Sequence, residues 1–248
     1  MSTLQVISLG NDIVDLNDPD TVNLLNNKKF LQRVFCESEL ENLTQLAIDK
    51  QNSYLWKLWA AKEAAYKSIK RLRNDIIFSP RRFHVSSDTA SVNYEDVCFF
   101  VDFKENNKYL HASCFIFCET VNSSEIKFID QYVKFVSPQD ISLDVKLKAT
   151  MNVQNWIISY KEIRKIIQEK NISITSSYSH ESSLCRTYAA LQISQYPGFN
   201  KVRIRKSSHF RNAIPEIWLN DIKTNHLLSI SHHGEYCAVL FCQLHDLL

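Results

Sequence analysis

Glycine is nearly absent, with three residues in 248: Gly10, Gly198 and Gly234. A chain this poor in glycine keeps one where the backbone demands it. "GNDIVDL" (10–16) and "SISHHGEY" (229–236) therefore draw notice, since each joins an apolar, strand-like run to polar residues. Long apolar runs are also missing. The uncharged stretch from Thr187 to Asn200 is short and holds Gln, Ser, Pro and Asn, which excludes a membrane-spanning helix there. "MSTLQVISLGND" has neither a basic start nor an adequate apolar core, so it does not read as a secretory signal. Charge of one sign is not in excess: 29 Lys and Arg against 27 Asp and Glu give a net +2, too little by itself to imply nucleic-acid or membrane binding.

Seven cysteines are present, an odd number, several in apolar runs such as "SCFIFC" (113–118) and "YCAVLFC" (236–242). They read as buried, reduced thiols of a cytosolic protein. Cys114 and Cys118 stand four apart with no His/Cys pair nearby at ligand spacing, which does not suit a zinc site. With 45% hydrophobic and 23% charged residues, the chain has the composition of a soluble globular protein forming one large or two small domains.

Along the chain, "LQVISLGNDIVDL" (4–16) reads as a strand broken or bulged at Gly10–Asn11, with Asp12 at the bend. Residues 26–50 read as helical, with a second piece starting near Ser38. Residues 52–72 form the strongest helix, with Asn52 or Ser53 as its N-cap. At 100° per residue Trp56, Ala60, Glu63 and Lys67 share one stripe, and Leu58, Ala61, Ala65 and Ile69 lie opposite. Strands follow between 75 and 119, with "KENNK" (104–108) as a hairpin turn, and then a polar stretch at 121–126. "VQNWIISYKEIRKIIQEKN" (153–171) and "SSLCRTYAALQISQY" (182–196) read as helices, and four strands close the chain.

The two halves, 1–122 and 123–248, repeat one order: helices, then strands, the last carrying a histidine. Glu63 to His111 is 48 residues, and Arg186 to His232 is 46. This suggests an internal duplication in which Arg186 stands near the place of Glu63, leaving one acidic site. The fold class expected is α+β.

"GNDIVDL" (10–16), "WAAKEAAYK" (59–67) and "SISHHG" (229–234) together resemble the 4′-phosphopantetheinyl transferase superfamily. Its members show a Gly-x-Asp strand, a Trp/Phe-x-x-Lys-Glu-Ala helix with a following lysine, and a Ser-His strand. The motif order is that of the short holo-acyl-carrier-protein synthase type, at about twice its length. The resemblance implies two similar α+β halves forming a pseudodimer, monomeric and cytoplasmic, with one site between them. It implies transfer of 4′-phosphopantetheine from coenzyme A to a serine of an acyl or peptidyl carrier protein, releasing 3′,5′-ADP. Asp12 and Glu63 would hold Mg²⁺, which takes one or two carboxylates along with phosphate oxygens and water. Lys67 would reach a phosphate oxygen. His232, with Ser231 and Lys62, would hold coenzyme A, and Glu63 or a water on the metal would take the serine proton. Catalysis would thus rest on Glu63, Lys67 and Asp12. Asp15 should face away from Asp12 on a strand. The choice between His232 and His233 falls to His232, which directly follows Ser231.

Each residue also has a plainer reading. Glu63 and Lys67 could be a surface i,i+4 pair worth about 0.2–0.5 kcal/mol. Asp12 could be a turn residue, His232 a strand histidine and Lys62 a solvated one, while His111 reads as a structural remnant. Ser179 and His180 read as a helix start. The basic segment 201–211 could be a solubilised edge strand, a nucleic-acid patch, or, like "KSIKRLR" (67–73), a guide for an acidic carrier. A carrier-binding relative without turnover is the rival function.

Overall fold

A computed structural model of the chain describes residues 3–22, 24–120, 152–174, 179–207 and 214–244. The alternating run at the start forms one unbroken strand, β1 (Thr3–Asp15). Its irregularity lies between Val6 and Ser8, not at Gly10–Asn11. Beyond it, period-two alternation sends Ser8, Gly10 and Asp12 to one face and Asn11 to the other.

Two short helices, α1 (Lys28–Val34) and α2 (Glu37–Gln45), lead into the long α3 (Ile48–Leu72). This helix begins a turn before Asn52, with Asp49 against its positive end. Ala60, Ala61, Ala64 and Ala65 are fully buried and give α3 a thin flank. Gly10 supplies the matching thin spot on β1: a Cβ there would sit 2.1 Å from the Ala64 carbonyl oxygen and 2.6 Å from the Ser68 nitrogen. Strand and helix therefore pack backbone to backbone, and Ser8 Oγ donates to the Ser68 carbonyl at 2.8 Å. β2 (His84–Val85), β3 (Ser91–Tyr94), β4 (Val97–Glu105) and β5 (Tyr109–Thr120) complete an antiparallel sheet ordered β1-β5-β4-β3-β2.

In the second half "VQNWIIS" is a strand, β6 (Val153–Ser159), where the sequence suggested helix. Ser159 then caps α4 (Tyr160–Glu169) in a reciprocal box with Glu162. Ser179 caps α5 (His180–Ile193) as expected. β7 (Val202–Lys206), β8 (Pro215–Leu219) and β9 (Ile222–Lys223) make a small sheet, in which Arg203 and Arg205 both pair with Asp221. β10 (Leu227–His233) and β11 (Tyr236–Cys242) join β6 in the order β10-β11-β6.

The class is α+β with antiparallel sheets. In each half the first strand pairs with the last, as β1–β5–β4 and β6–β11–β10. The matching of His111 with His232 does not hold in this topology, because His111 lies on β5 whereas His232 lies on the penultimate strand β10. The 122/123 division and the 121–126 stretch fall outside the described residues. All seven cysteines are free. Among the described residues no helix is long and apolar enough to cross a membrane.

The halves meet across β1 and β5 on one side and β10 and β11 on the other. Val6, Leu9, Phe115 and Phe117 share an apolar cluster with Leu227, Leu240 and Cys242. Beside it runs a polar clasp. Asn11 donates its backbone N–H to Ser229 Oγ at 3.1 Å and its side-chain amide to the Ala238 carbonyl at 3.2 Å. The Arg71 guanidinium, near the end of α3, donates to the Leu228 carbonyl.

Candidate functional site

Asp12 lies on β1 two residues past Gly10 and so faces α3. Its Oδ1 accepts from Lys67 Nζ at 2.7 Å, and the same nitrogen lies 3.5 Å from Oε2 of Glu63, one turn earlier on the helix. The two carboxylate oxygens are therefore at most 6.2 Å apart, the sum of those distances. Burial pushes the Asp12 carboxyl up to about 7; Glu63 adds to this, and Lys67 opposes it. Burial pulls the Lys67 ammonium down, but Asp12 and Glu63 outweigh it and the net displacement is upward.

His232, at the end of β10, is exposed. Partial desolvation by the protein around this open ring lowers its pKa, and the positive fields of Lys67, Arg186 and His233 lower it further, while Glu181 opposes them. His232 is thus within electrostatic reach of Lys67 from the first half and of Glu181 and Arg186 on α5. Glu181 and Arg186 were not singled out as site residues. Their only sequence signal is a pair of charges on an otherwise small and apolar helix. His233 faces elsewhere: its Nδ1 accepts the Asp15 backbone N–H at 3.1 Å. Asp15, opposite in direction to Asp12 as expected, accepts from the backbone N–H groups of Asn17 at 2.9 Å and Glu235 at 3.0 Å. It secures the hairpin turn at Gly234, where φ is +51° and an added Cβ would strike the Asp15 carboxylate.

Two expected binders lie elsewhere. Lys62 is fully buried rather than at the site. Its ammonium pairs with Glu39 Oε2 at 2.8 Å and donates to the carbonyls of Phe83, at 2.5 Å, and Pro80, at 3.1 Å, which uses all three donors inside the first core. Ser231 alternates away from His232. It is buried, and its Oγ has no hydrogen-bond partner among the described residues.

Behind the site His111 is fully buried. Asn11 Nδ2 approaches its Nε2 at 3.1 Å, and the Asn155 amide its Nδ1 at 3.3 Å. Burial, with Lys104 and Lys67 adding, drives its pKa down to about 3, so the ring is neutral at physiological pH. Asn11 Nδ2, which also donates to the Ala238 carbonyl, donates to Nε2 of the neutral ring.

Among the described residues no group of three or more His, Cys, Asp and Glu side chains could hold a metal ion. Asp12 and Glu63 are instead a pair of hard oxygen donors gathered round one positive charge. That suits a cation such as Mg²⁺, which completes its octahedron with phosphate oxygens and water.

Residues 8–128 match the family model described as the 4′-phosphopantetheinyl transferase superfamily. That segment is just under half of the chain, and it is similar to the superfamily. The match includes the Gly-x-Asp strand of Asp12 and the α3 motif of Glu63 and Lys67, whereas the Ser-His strand lies beyond it. No curated protein matches the chain. Similar solved structures include a holo-(acyl-carrier-protein) synthase from Bacillus anthracis str. Ames in complex with CoA (3′,5′-ADP), at 17% identity and a TM-score of 0.36, covering 44% of this chain and 95% of that one. A holo-ACP synthase from Plasmodium yoelii is similar at 21% identity and a TM-score of 0.35, covering 45% of this chain and 94% of that one.

Proposed function

We propose that the protein moves 4′-phosphopantetheine from coenzyme A to a serine of an acyl or peptidyl carrier protein, releasing 3′,5′-ADP, with Mg²⁺ bound by Asp12 and Glu63. One observation carries the reading: two carboxylates from separate elements converge on a single ammonium inside a matched superfamily segment.

Phosphoryl transfer depends mainly on alignment and charge neutralisation, and the residues present suit both. The ion, when bound, would neutralise the coenzyme A diphosphate. The serine oxygen attacks the β-phosphorus, its proton passes to Glu63 or to a water beside it, and the bond to the nucleotide phosphate breaks. Lys67 stabilises charge on a phosphate oxygen. His232 holds a coenzyme A phosphate from the other half, with Arg186 beside it. Lys62 serves α3 as a core lysine and has no part in binding. The site then spans both halves of one chain, which supports a monomer acting as a pseudodimer as the working form, in a cytoplasmic setting that the reduced-thiol reading of the cysteines suits. The intact grouping of Asp12, Glu63 and Lys67 argues against a carrier-binding relative without turnover.

The deciding experiment incubates apo carrier proteins with coenzyme A and Mg²⁺ and follows their mass. A gain of one phosphopantetheine, abolished by EDTA, is expected. No gain across acyl and peptidyl carriers would overturn the reading.

A further inference from the structure

Lys67 and Lys62 stand five positions apart on α3, yet their surroundings are opposite. The Lys62 ammonium is sealed in by an ion pair and two carbonyls. The Lys67 ammonium touches only Asp12 and Glu63 among the described residues, and 29% of its side chain is exposed, against 12% for Asp12. Glu63 is 24% exposed, so the site opens to solvent at both Lys67 and Glu63, and the ammonium is carried on a flexible four-carbon stem.

We propose that Lys67 is a resident stand-in cation. In the coenzyme-free protein it neutralises Asp12 and Glu63, and it gives them up only when a diphosphate offers its ammonium a new partner. The inference rests on the functional reading above and adds an order to it. Even with both carboxyls ionised, one ammonium leaves them a single negative charge, a poor attraction for a divalent ion, and an ammonium held between them opposes that ion directly. Once the ammonium turns to a phosphate, both oxygens and both negative charges become available together. Divalent cation and coenzyme A must then bind with positive, reciprocal coupling. The protein would hold little metal until the nucleotide arrives.

The test is calorimetric titration of Mn²⁺ into wild type, Lys67→Met and Lys67→Arg, each with and without coenzyme A. Without coenzyme A, Lys67→Met should bind Mn²⁺ about tenfold more tightly than wild type, and Lys67→Arg should stay as weak as wild type. Coenzyme A should tighten Mn²⁺ binding about tenfold in wild type and far less in Lys67→Met. If Lys67→Met does not fold, Lys67→Gln, which keeps a donor to Asp12 but no charge, takes its place. If wild type takes up Mn²⁺ with coenzyme A but the uncharged variants gain nothing without it, the stand-in role alone is overturned. If Mn²⁺ binds no protein under either condition, the stand-in role and the transferase reading are both overturned.

Discussion

At Gly10 the first carbon of any side chain would lie 2.1 Å from one backbone atom of α3 and 2.6 Å from another. Neither can retreat as the tip of a flexible side chain would. Gly10→Ala is expected to cost about 2–3 kcal/mol, read as a lower urea midpoint, and to loosen Asp12 from Lys67. An unchanged midpoint would mean that β1 and α3 are not in such close contact. Two residues on, Asp12→Asn keeps the shape and removes the charge, as does Glu63→Gln. Each should slow carrier modification by about a hundredfold or more, the scale of losing one charge-stabilising group, while circular dichroism stays that of wild type. A full rate in either variant would remove the proposed metal site. Asp12, Glu63 and Lys67 were singled out together in the sequence by the three-motif resemblance, whereas local helical i,i+4 spacing by itself marked only the Glu63–Lys67 pair. Lys62 and Ser231 were not. Whether a face is covered depends on distant residues, as Glu39 and the 80–83 turn do for Lys62.

The element most dependent on its neighbours is α3. Its Lys62 ties it to α2 through Glu39, whose other bonds are to the N–H groups of Cys36 at 3.0 Å and Val85 at 2.9 Å. Lys62→Met strands a carboxylate in the core and should cost about 3–5 kcal/mol by chemical denaturation. Adding Glu39→Gln removes the stranded charge and should recover part of that loss. If the double variant is no more stable than Lys62→Met, the pair is not what holds α2 to α3. The strands and helices of the first half follow their sequence periods, apart from the start of α3 and the place of the β1 irregularity. β6 was misjudged as helix because it runs straight into α4 without a breaker. Its Trp and two Ile residues, followed by Ser159 and Glu162 at capping-box spacing, mark the change.

For the whole molecule, the join between halves is polar at its centre and senses acid there. His111 is held neutral with its pKa near 3, below the ordinary value of 6.5. The unfolded chain therefore binds the extra proton first. Stability from this group is complete above pH 6.5 and declines as pH falls toward 3, by about 1.4 kcal/mol per unit. His111→Gln, which can still bond both asparagines but does not titrate, should show a flatter decline between pH 6 and 4 in thermal melts. Equal slopes would rule out His111 as the acid-sensitive group. The packing of one half on the other could not be read from spacing, since Asn11, Ser229, Ala238 and Asn155 carry no local signature of partnership. A single tripeptide, Gly10-Asn11-Asp12, seats the helix, fastens the second half and supplies an acidic oxygen in three consecutive positions. Natural drift cannot tune these duties separately. Sequence change here would be tolerated only where all three survive together: a screen for lost turnover should return the loosely folded variants at Gly10 and Asn11 as well as the folded Asp12→Asn.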